Sequence, residues 1–376
     1  MRILRVAQTL YPDVTGGGPY HVHAMSRDQA AMGHDVTVLT VRTDPSLPHH
    51  EERAGYTVLR YDSVLSPLGN DISPGLATQL ATAADFDVVH AHSHLYFSTN
   101  LAALRRALDS LPLVSPFEAR PLAITNHGLY SQTAPEWLFD AYLRTAGRWT
   151  FDRADVVFCY TDADRARLRE VGVESPIAVV PNGIDTERFS RKGPADERVA
   201  AGDPSLLFVG RLVEGKRPGV AIAAAKRLRE TYPDCRLAVC GDGPLRETLA
   251  ATAGPETVFL GEVDYDDMPA VYRGADAFVL PSRAEGTPRT VLEALSVGLP
   301  VACSDLPHLR DAFGDGVRYF EGGDVDSLVR TLEDTLDGDQ ARAVDQGGPD
   351  ATPPVPDWSE TVRLTTDRLE ALVAGE

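Results

Sequence analysis

The sequence predicts an α/β chain of two doubly wound parallel-sheet domains facing one another across a cleft. Three observations carry that prediction. Short apolar runs of strand length alternate with longer amphipathic stretches, the pattern of strand–helix–strand crossovers. The alternation stops at a polar stretch near residues 185–205 and then restarts. Several apolar runs end in a glycine-bearing loop that opens a helix, which is where doubly wound domains bind ligands.

In the first half, strands are expected at 3–8, 35–41, 87–91, 122–125 and 156–160, with helices near 21–32, 95–108 and 136–153. Residues 45–75 are too irregular to assign. The stretch 185–205 holds Arg188, Arg191, Lys192, Gly193, Pro194, Asp196 and Glu197 and reads as an interdomain linker. The second half restarts with a strand at 206–209 and a helix to about Glu230. Further strands follow at 236–240, 258–260, 277–280 and 301–302. Residues 337–356 are rich in Gly, Pro and Asp, and Trp358, Val362, Leu369 and Leu372 then form a helical stripe. The expected division is a first domain over 1–186, a linker over 187–204, a second domain over 205–345 and a closing helix over 357–373 that packs back on the first domain.

Composition narrows the function. A chain of 376 residues with 43% hydrophobic content can bury two ordinary cores. A formal net charge of −19 makes nucleic acid a poor partner. No apolar run approaches the roughly 20 residues that span a bilayer, and MRILRVAQTL reads as a buried first strand, not a signal peptide. The expectation is a soluble, cytoplasmic protein. Three lysines against 33 arginines suggest a salt-rich cytoplasm, with a GC-rich genome as the alternative cause. Cys159, Cys235, Cys240 and Cys303 lack CxxC spacing and read as reduced core residues, so a zinc site is not expected.

The chemistry concentrates in strand-to-helix loops. RAEGTPRTVLEA, residues 283–294, puts Glu285 in a loop and Glu293 on the helix after it, with Pro288 suited to the first turn. Two acids so placed can grip two hydroxyl-bearing parts of one ligand. GRLVEGK, from Gly210 to Lys216, offers the guanidinium fork of Arg211, the point charge of Lys216 and a coming helix N-terminus, an environment that suits a diphosphate. Arg217 follows Lys216 where a Walker loop would need Ser or Thr, so an ATPase reading fails. TGGGP after the first strand lets the amides of Gly17 and Gly18 approach an anion, or is only a turn. TNHG places His127 at the end of a central strand, where it either bonds a substrate oxygen or caps the next segment. His90, His92 and His94 share a strand end; metal binding is conceivable, but without a second ligand cluster they read as packing or cleft-edge residues. CGDGPLRE repeats the strand–glycine–helix arrangement at Gly241–Gly243.

In order and spacing, the set GRLVEGK, CGDGPLRE, LGEV, YRGADAFVLPS, AEGTPRTVLEALSVGLPV and VVPNGID resembles retaining glycosyltransferases of the GT-B fold, specifically family 4. The resemblance spans nearly the whole chain. It implies that Arg211 and Lys216 hold the donor diphosphate in place of a catalytic metal, with no other cofactor. It implies that Glu293 binds ribose hydroxyls, that Glu285 lies near the transferred sugar, and that the backbone of Gly286, Thr287, Pro288 and Arg289 helps hold phosphate and sugar. His127 looks like the histidine that contacts the donor sugar, Gly17 and Gly18 like loop amides touching phosphate or acceptor, and Val263 like the contact to the base. Many relatives carry Gly-Phe-Gly after the first glutamate, whereas here Gly286 is followed by Thr287, Pro288 and Arg289; Arg289 either adds a phosphate contact or faces solvent.

The implied reaction moves a sugar from a nucleotide-diphosphate donor to an acceptor hydroxyl with retention, in glycan, glycolipid or cell-surface polysaccharide synthesis. The implied partners are the nucleotide-sugar donor and a glycan or lipid-linked acceptor, with peripheral contact to a membrane face left open. Residues 137–151 read as a core helix that is aromatic enough to touch a lipid. Two rivals use the same donor cleft: a nucleotide-sugar epimerase or hydrolase, and a noncatalytic donor-binding module. A nicotinamide enzyme is disfavoured because GxGxxG is absent.

Overall fold

The computed structural model describes residues 1–110, 119–130, 136–337 and 355–375. Two compact units emerge. The first comprises the described residues of Met1–Leu129, Pro135–Pro181 and Ser359–Glu376, and the second those of Tyr130–Ala134 and Asn182–Trp358.

The first unit runs β1 (Arg2–Val6), α1 (Gly17–Ala31), β2 (Asp35–Val41), β3 (His50–Arg53), β4 (Tyr56–Tyr61), α2 (Pro74–Thr82) and β5 (Val88–His92). It continues with α3 (Phe97–Asp109), β6 (Leu122–Thr125), α4 (Glu136–Tyr142), α5 (Arg148–Phe151), β7 (Val156–Cys159), α6 (Asp162–Glu170) and β8 (Ile177–Val179). The sheet order is β3-β4-β2-β1-β5-β6-β7-β8, parallel except for β3 against β4. Strand order reverses between β1 and β5, so the loops leaving these strands open a crevice at their carboxyl ends. Ile3, Val38, Val88, Ala123 and Phe158 build the core under them.

The unassigned region 45–75 contains the β3–β4 hairpin. HEER carries no apolar alternation, which hid it, and ion pairs hold it instead. Arg60, fully buried, donates from Nε to Asp13 at 2.7 Å and from Nη2 to Glu51 at 2.7 Å. Arg53 Nη2 reaches the same Asp13 at 2.8 Å.

The second unit runs β9 (Ser205–Val209), α7 (Pro218–Leu228), β10 (Arg236–Cys240), α8 (Arg246–Thr252), β11 (Thr257–Gly261), α9 (Met268–Arg273), β12 (Ala277–Leu280) and α10 (Arg289–Ser296). Then come β13 (Val301–Ser304), α11 (Pro307–Phe313), β14 (Arg318–Phe320) and α12 (Val325–Asp337); α13 (Trp358–Ala374) follows in chain order but returns to the first unit. The order β11-β10-β9-β12-β13-β14 is wholly parallel and reverses between β9 and β12. Adjacent strand residues feed opposite faces, Leu207 and Phe278 one core, Leu206, Phe208 and Val279 the other.

Two expectations change, over 187–204 and over 137–151. Residues 187–204 belong to the second unit, because Phe189 and Val199 are buried in its core and Ser296 Oγ donates to the Phe189 carbonyl at 2.6 Å. The charged residues around them masked these two anchors. All of α13 beyond Trp358 belongs to the first unit, with Leu369 in its core and Gln29 Nε2 bonded to Thr366 at 2.9 Å. The segment 137–151 is only half a core helix. Phe139, Leu143 and Phe151 are buried, while Trp137 is 73% exposed and Leu138 and Trp149 are also exposed. The Gly/Pro/Asp-rich stretch and the expected domain end at 345 lie largely or wholly outside the described residues. Among those residues no helix is long and apolar enough to cross a membrane.

Candidate active site

In the second unit, the loop leaving β9 is shaped by glycines on the neighbouring loop. Gly241 adopts φ +124°, and a Cβ there would fall 2.2 Å from the Gly210 carbonyl oxygen. At Gly243 a Cβ would come within 2.7 Å of the Leu212 carbonyl. Only glycine lets the two loops lie this close, and backbone bonds seal them: Gly210 N to Cys240 O at 3.0 Å and Leu212 N to Asp242 O at 2.8 Å. CGDG is therefore the brace under Arg211, whose side chain is exposed.

The chain next makes a tight turn at Glu214–Lys216 and enters α7 through Arg217 in the left-handed region. Arg283 N donates to Gly215 O at 2.8 Å, tying this turn to the loop after β12. Lys216 Nζ thereby sits 2.5 Å from Glu285 Oε1, with 16% and 6% of the two side chains exposed. His308, at the start of α11, lies against Glu285; burial lowers its pKa and Glu285 partly offsets this. Gly286 and Thr287 are half-buried, Pro288 is buried, and Asn182 Nδ2 donates to the Thr287 carbonyl at 3.2 Å.

Glu293 projects from α10 into a buried polar knot. Tyr272 donates to its Oε2 at 2.8 Å and Tyr265 to its Oε1 at 3.2 Å, and burial raises its pKa. Tyr272 is pushed well above the ordinary phenol value by burial and by Glu293. Arg289 does not face solvent. It is 7% exposed, donates to Gly183 O at 2.9 Å and to Tyr265 Oη at 3.2 Å, and lies over the Trp358 ring at 5.4 Å. Val263 is partly buried against the core that contains Met268 and Val271. Tyr265, Tyr272 and His308 were not expected at the site, although Tyr272 opens the run YRGADAFVLPS and Tyr265 is the acid-flanked aromatic of VDYDD.

In the first unit, Gly17 and Gly18 form the first turn of α1, and a Cβ at Gly18 would meet nothing within 4 Å. His21 of the same helix meets His127 edge-on, ring centroids 5.1 Å apart, so the glycine loop and TNHG are neighbours. His127 Nδ1 lies 2.7 Å from Tyr160 Oη and its Nε2 lies 3.0 Å from His92 Nδ1. His90, His92 and His94 are buried. Among the described residues no three His, Cys, Asp or Glu side chains are grouped to hold a metal ion.

Residues 15–188 match the family model Glycosyltransferase Family 4, and residues 190–346 match Glycosyl transferases group 1. The glycogen synthase of Mycobacterium tuberculosis (strain H37Rv) is 32% identical over 372 residues, covering 90% of this chain and 86% of that one. The chain belongs to the family 4 glycosyltransferases. A GDP-mannose-dependent phosphatidylinositol monomannoside mannosyltransferase of Mycolicibacterium smegmatis is 29% identical, with 84% of each chain covered. Sucrose-phosphate synthase of Thermosynechococcus elongatus superposes with a TM-score of 0.78 at 19% identity, over 100% of both chains. Anabaena HepE, crystallised with UDP and glucose, gives 0.72 at 18% over 99% of this chain and 100% of its own. The protein is a glycosyltransferase of the GT-B fold.

Proposed function

We propose that this glycosyltransferase moves a sugar to an acceptor hydroxyl with retention of configuration, in the synthesis of a glycan, glycolipid or cell-surface polysaccharide. The observation that carries the reading is the Lys216–Glu285 pair at 2.5 Å, set where two strand-to-helix loops meet at the switch point of a wholly parallel sheet. In this reading Arg211 and Lys216 take the donor diphosphate and offset the negative charge that grows on it as the glycosidic bond breaks. Glu285 orients Lys216 before the donor arrives and then turns to the sugar's hydroxyls. Glu293 takes ribose, the backbone of residues 286–289 the phosphate and sugar, and Val263 the base. Gly17, Gly18 and His127 serve the acceptor side and the donor sugar.

A retaining glycosidase places two carboxylates about 5 Å apart around the scissile bond and uses one as nucleophile. Here Glu285 is paired with a lysine, and Glu293 is buried under two tyrosines and an arginine. These commitments favour a front-face reaction, in which the departing phosphate accepts the proton of the incoming hydroxyl. Arg211 and Lys216 stand in for a metal. The acidic, lysine-poor sequence favours a salt-rich cytoplasm, and exposed Trp137, Leu138 and Trp149 are available to a lipid-linked acceptor at a membrane face.

Nucleoside diphosphate release from UDP-, GDP-, ADP- and TDP-sugars, with and without candidate acceptors, tests the proposal. Acceptor-dependent release with an unchanged anomeric configuration in the product supports it. Donor turnover without acceptor favours a hydrolase or epimerase, and donor binding with no release under any condition favours a binding module.

A further inference from the structure

We infer that His92 and Tyr160 are positioning residues that fix the ring and tautomer of His127, an inference that rests on the reading of His127 as part of the transfer site. The three side chains come from the carboxyl ends of β5, β6 and β7. Tyr160 Oη lies 2.7 Å from His127 Nδ1, and His127 Nε2 lies 3.0 Å from His92 Nδ1, so the imidazole is gripped at both nitrogens.

The grip is built into the backbone. Immediately after His92, Ser93 takes φ +64°, a left-handed conformation that a serine adopts only under constraint. Its amide donates to Thr125 O at 2.9 Å, and Thr99 Oγ1 donates to the His92 carbonyl at 2.9 Å. Next along β5, His90 is pinned by Thr125 Oγ1 at 2.7 Å and by Arg5 Nη2 at 3.3 Å, and its ring lies tilted against that of His92 with centroids 4.4 Å apart. His92, 2% exposed, has no room to turn away from His127.

A neutral imidazole carries one N–H. The His127–His92 contact therefore needs the proton on one facing nitrogen and a lone pair on the other. Two arrangements satisfy it. Either Tyr160 donates to Nδ1 and both histidines carry the proton on Nε2, or His127 donates from Nδ1 to Tyr160 and both carry it on Nδ1. The two rings are thus obliged to share one tautomer, and a change at either end would reset both.

The tautomers are readable by two-bond proton–nitrogen correlation in the full-length protein at neutral pH. Matching tautomers of His92 and His127 are expected in wild type, and Tyr160→Phe should change both rings together; opposite tautomers in wild type, or a change in His127 alone, would overturn the inference. Kinetically, Tyr160→Phe and His92→Leu should each lower kcat about 10-fold to 100-fold with donor KM within about 2-fold, as small misplacements of a reacting group do. His92→Asn, which returns a polar group near the place of Nδ1, should recover most of the loss. In a His127→Ala background, Tyr160→Phe should change kcat less than about 2-fold, since its target is gone. Multiplicative losses there would show that Tyr160 acts by another route and contradict the inference. Full activity of His127→Ala would instead overturn the parent reading of His127, and the tautomer measurement separates that failure from a failure of the geometry.

Discussion

Lys216 Nζ and Glu285 Oε1 lie 2.5 Å apart, although 69 residues separate them in sequence. The Arg283–Gly215 backbone bond imposes this closeness, so the pair exists before any donor binds. Glu285→Gln keeps the shape of the side chain and removes the charge. The expected result is a fall of about 100-fold in kcat with little change in melting temperature. Because the two residues act as a unit, the Lys216→Ala/Glu285→Gln double variant should be little worse than the poorer single one. Steady-state kinetics and thermal melts of the four proteins check this.

Gly241→Ala tests the brace beneath Arg211. A methyl group 2.2 Å from the Gly210 carbonyl forces one loop off the other and strains φ +124° as well. A loss on the order of 3 kcal/mol is expected, together with weaker donor binding. Gly18→Ala is the contrast: space is open there, and stability should move by less than about 1 kcal/mol. Urea unfolding of both variants is the measurement.

Both domains were legible in the sequence because parallel strands buried on two faces read as apolar runs, and Leu122–Thr125 and Ala277–Leu280 stand out for that reason. What stayed hidden was held by charge or by small differences within polar text. Arg60 and Asp13 bury an ion pair that stabilises a hairpin whose HEER strand shows no hydrophobic alternation, and Phe189 and Val199 anchor a stretch that otherwise looks like a linker. At the site, the motif loops could be placed from spacing alone. The partners that orient them, Tyr265, Tyr272, Tyr160 and His92, come from other segments of the chain, and tertiary contacts of that kind leave no local pattern.

Arg289 ties the loop over residues 286–289 to Gly183, Tyr265 and Trp358 at once. Lysine cannot reproduce a planar fork that serves several partners. Arg289→Lys should therefore cost about 2–4 kcal/mol, read by chemical denaturation, because it also leaves Glu293 with a weakened counter-charge.

Glu293 gives a pH signature. Its carboxyl is raised above the ordinary 4.5 by burial, so the native protein holds this proton more tightly than the unfolded chain. Its contribution to stability is complete below about pH 4.5 and is lost as pH climbs through the raised native value. Glu293→Gln lacks this loss. The melting temperature of the variant relative to wild type should therefore rise as pH increases from 4.5 and then level off, in a pair of matched melts across pH 4.5 to 8.

In the proposed reaction, the leaving diphosphate depends on the charge that Lys216 offers. The rate of acceptor-dependent nucleoside diphosphate release should be compared between wild type and Lys216→Ala, on whichever donor the panel identifies. A drop of about 100-fold to 1,000-fold in kcat, with the variant still folded, is the predicted result. Equal turnover by the two proteins would contradict it.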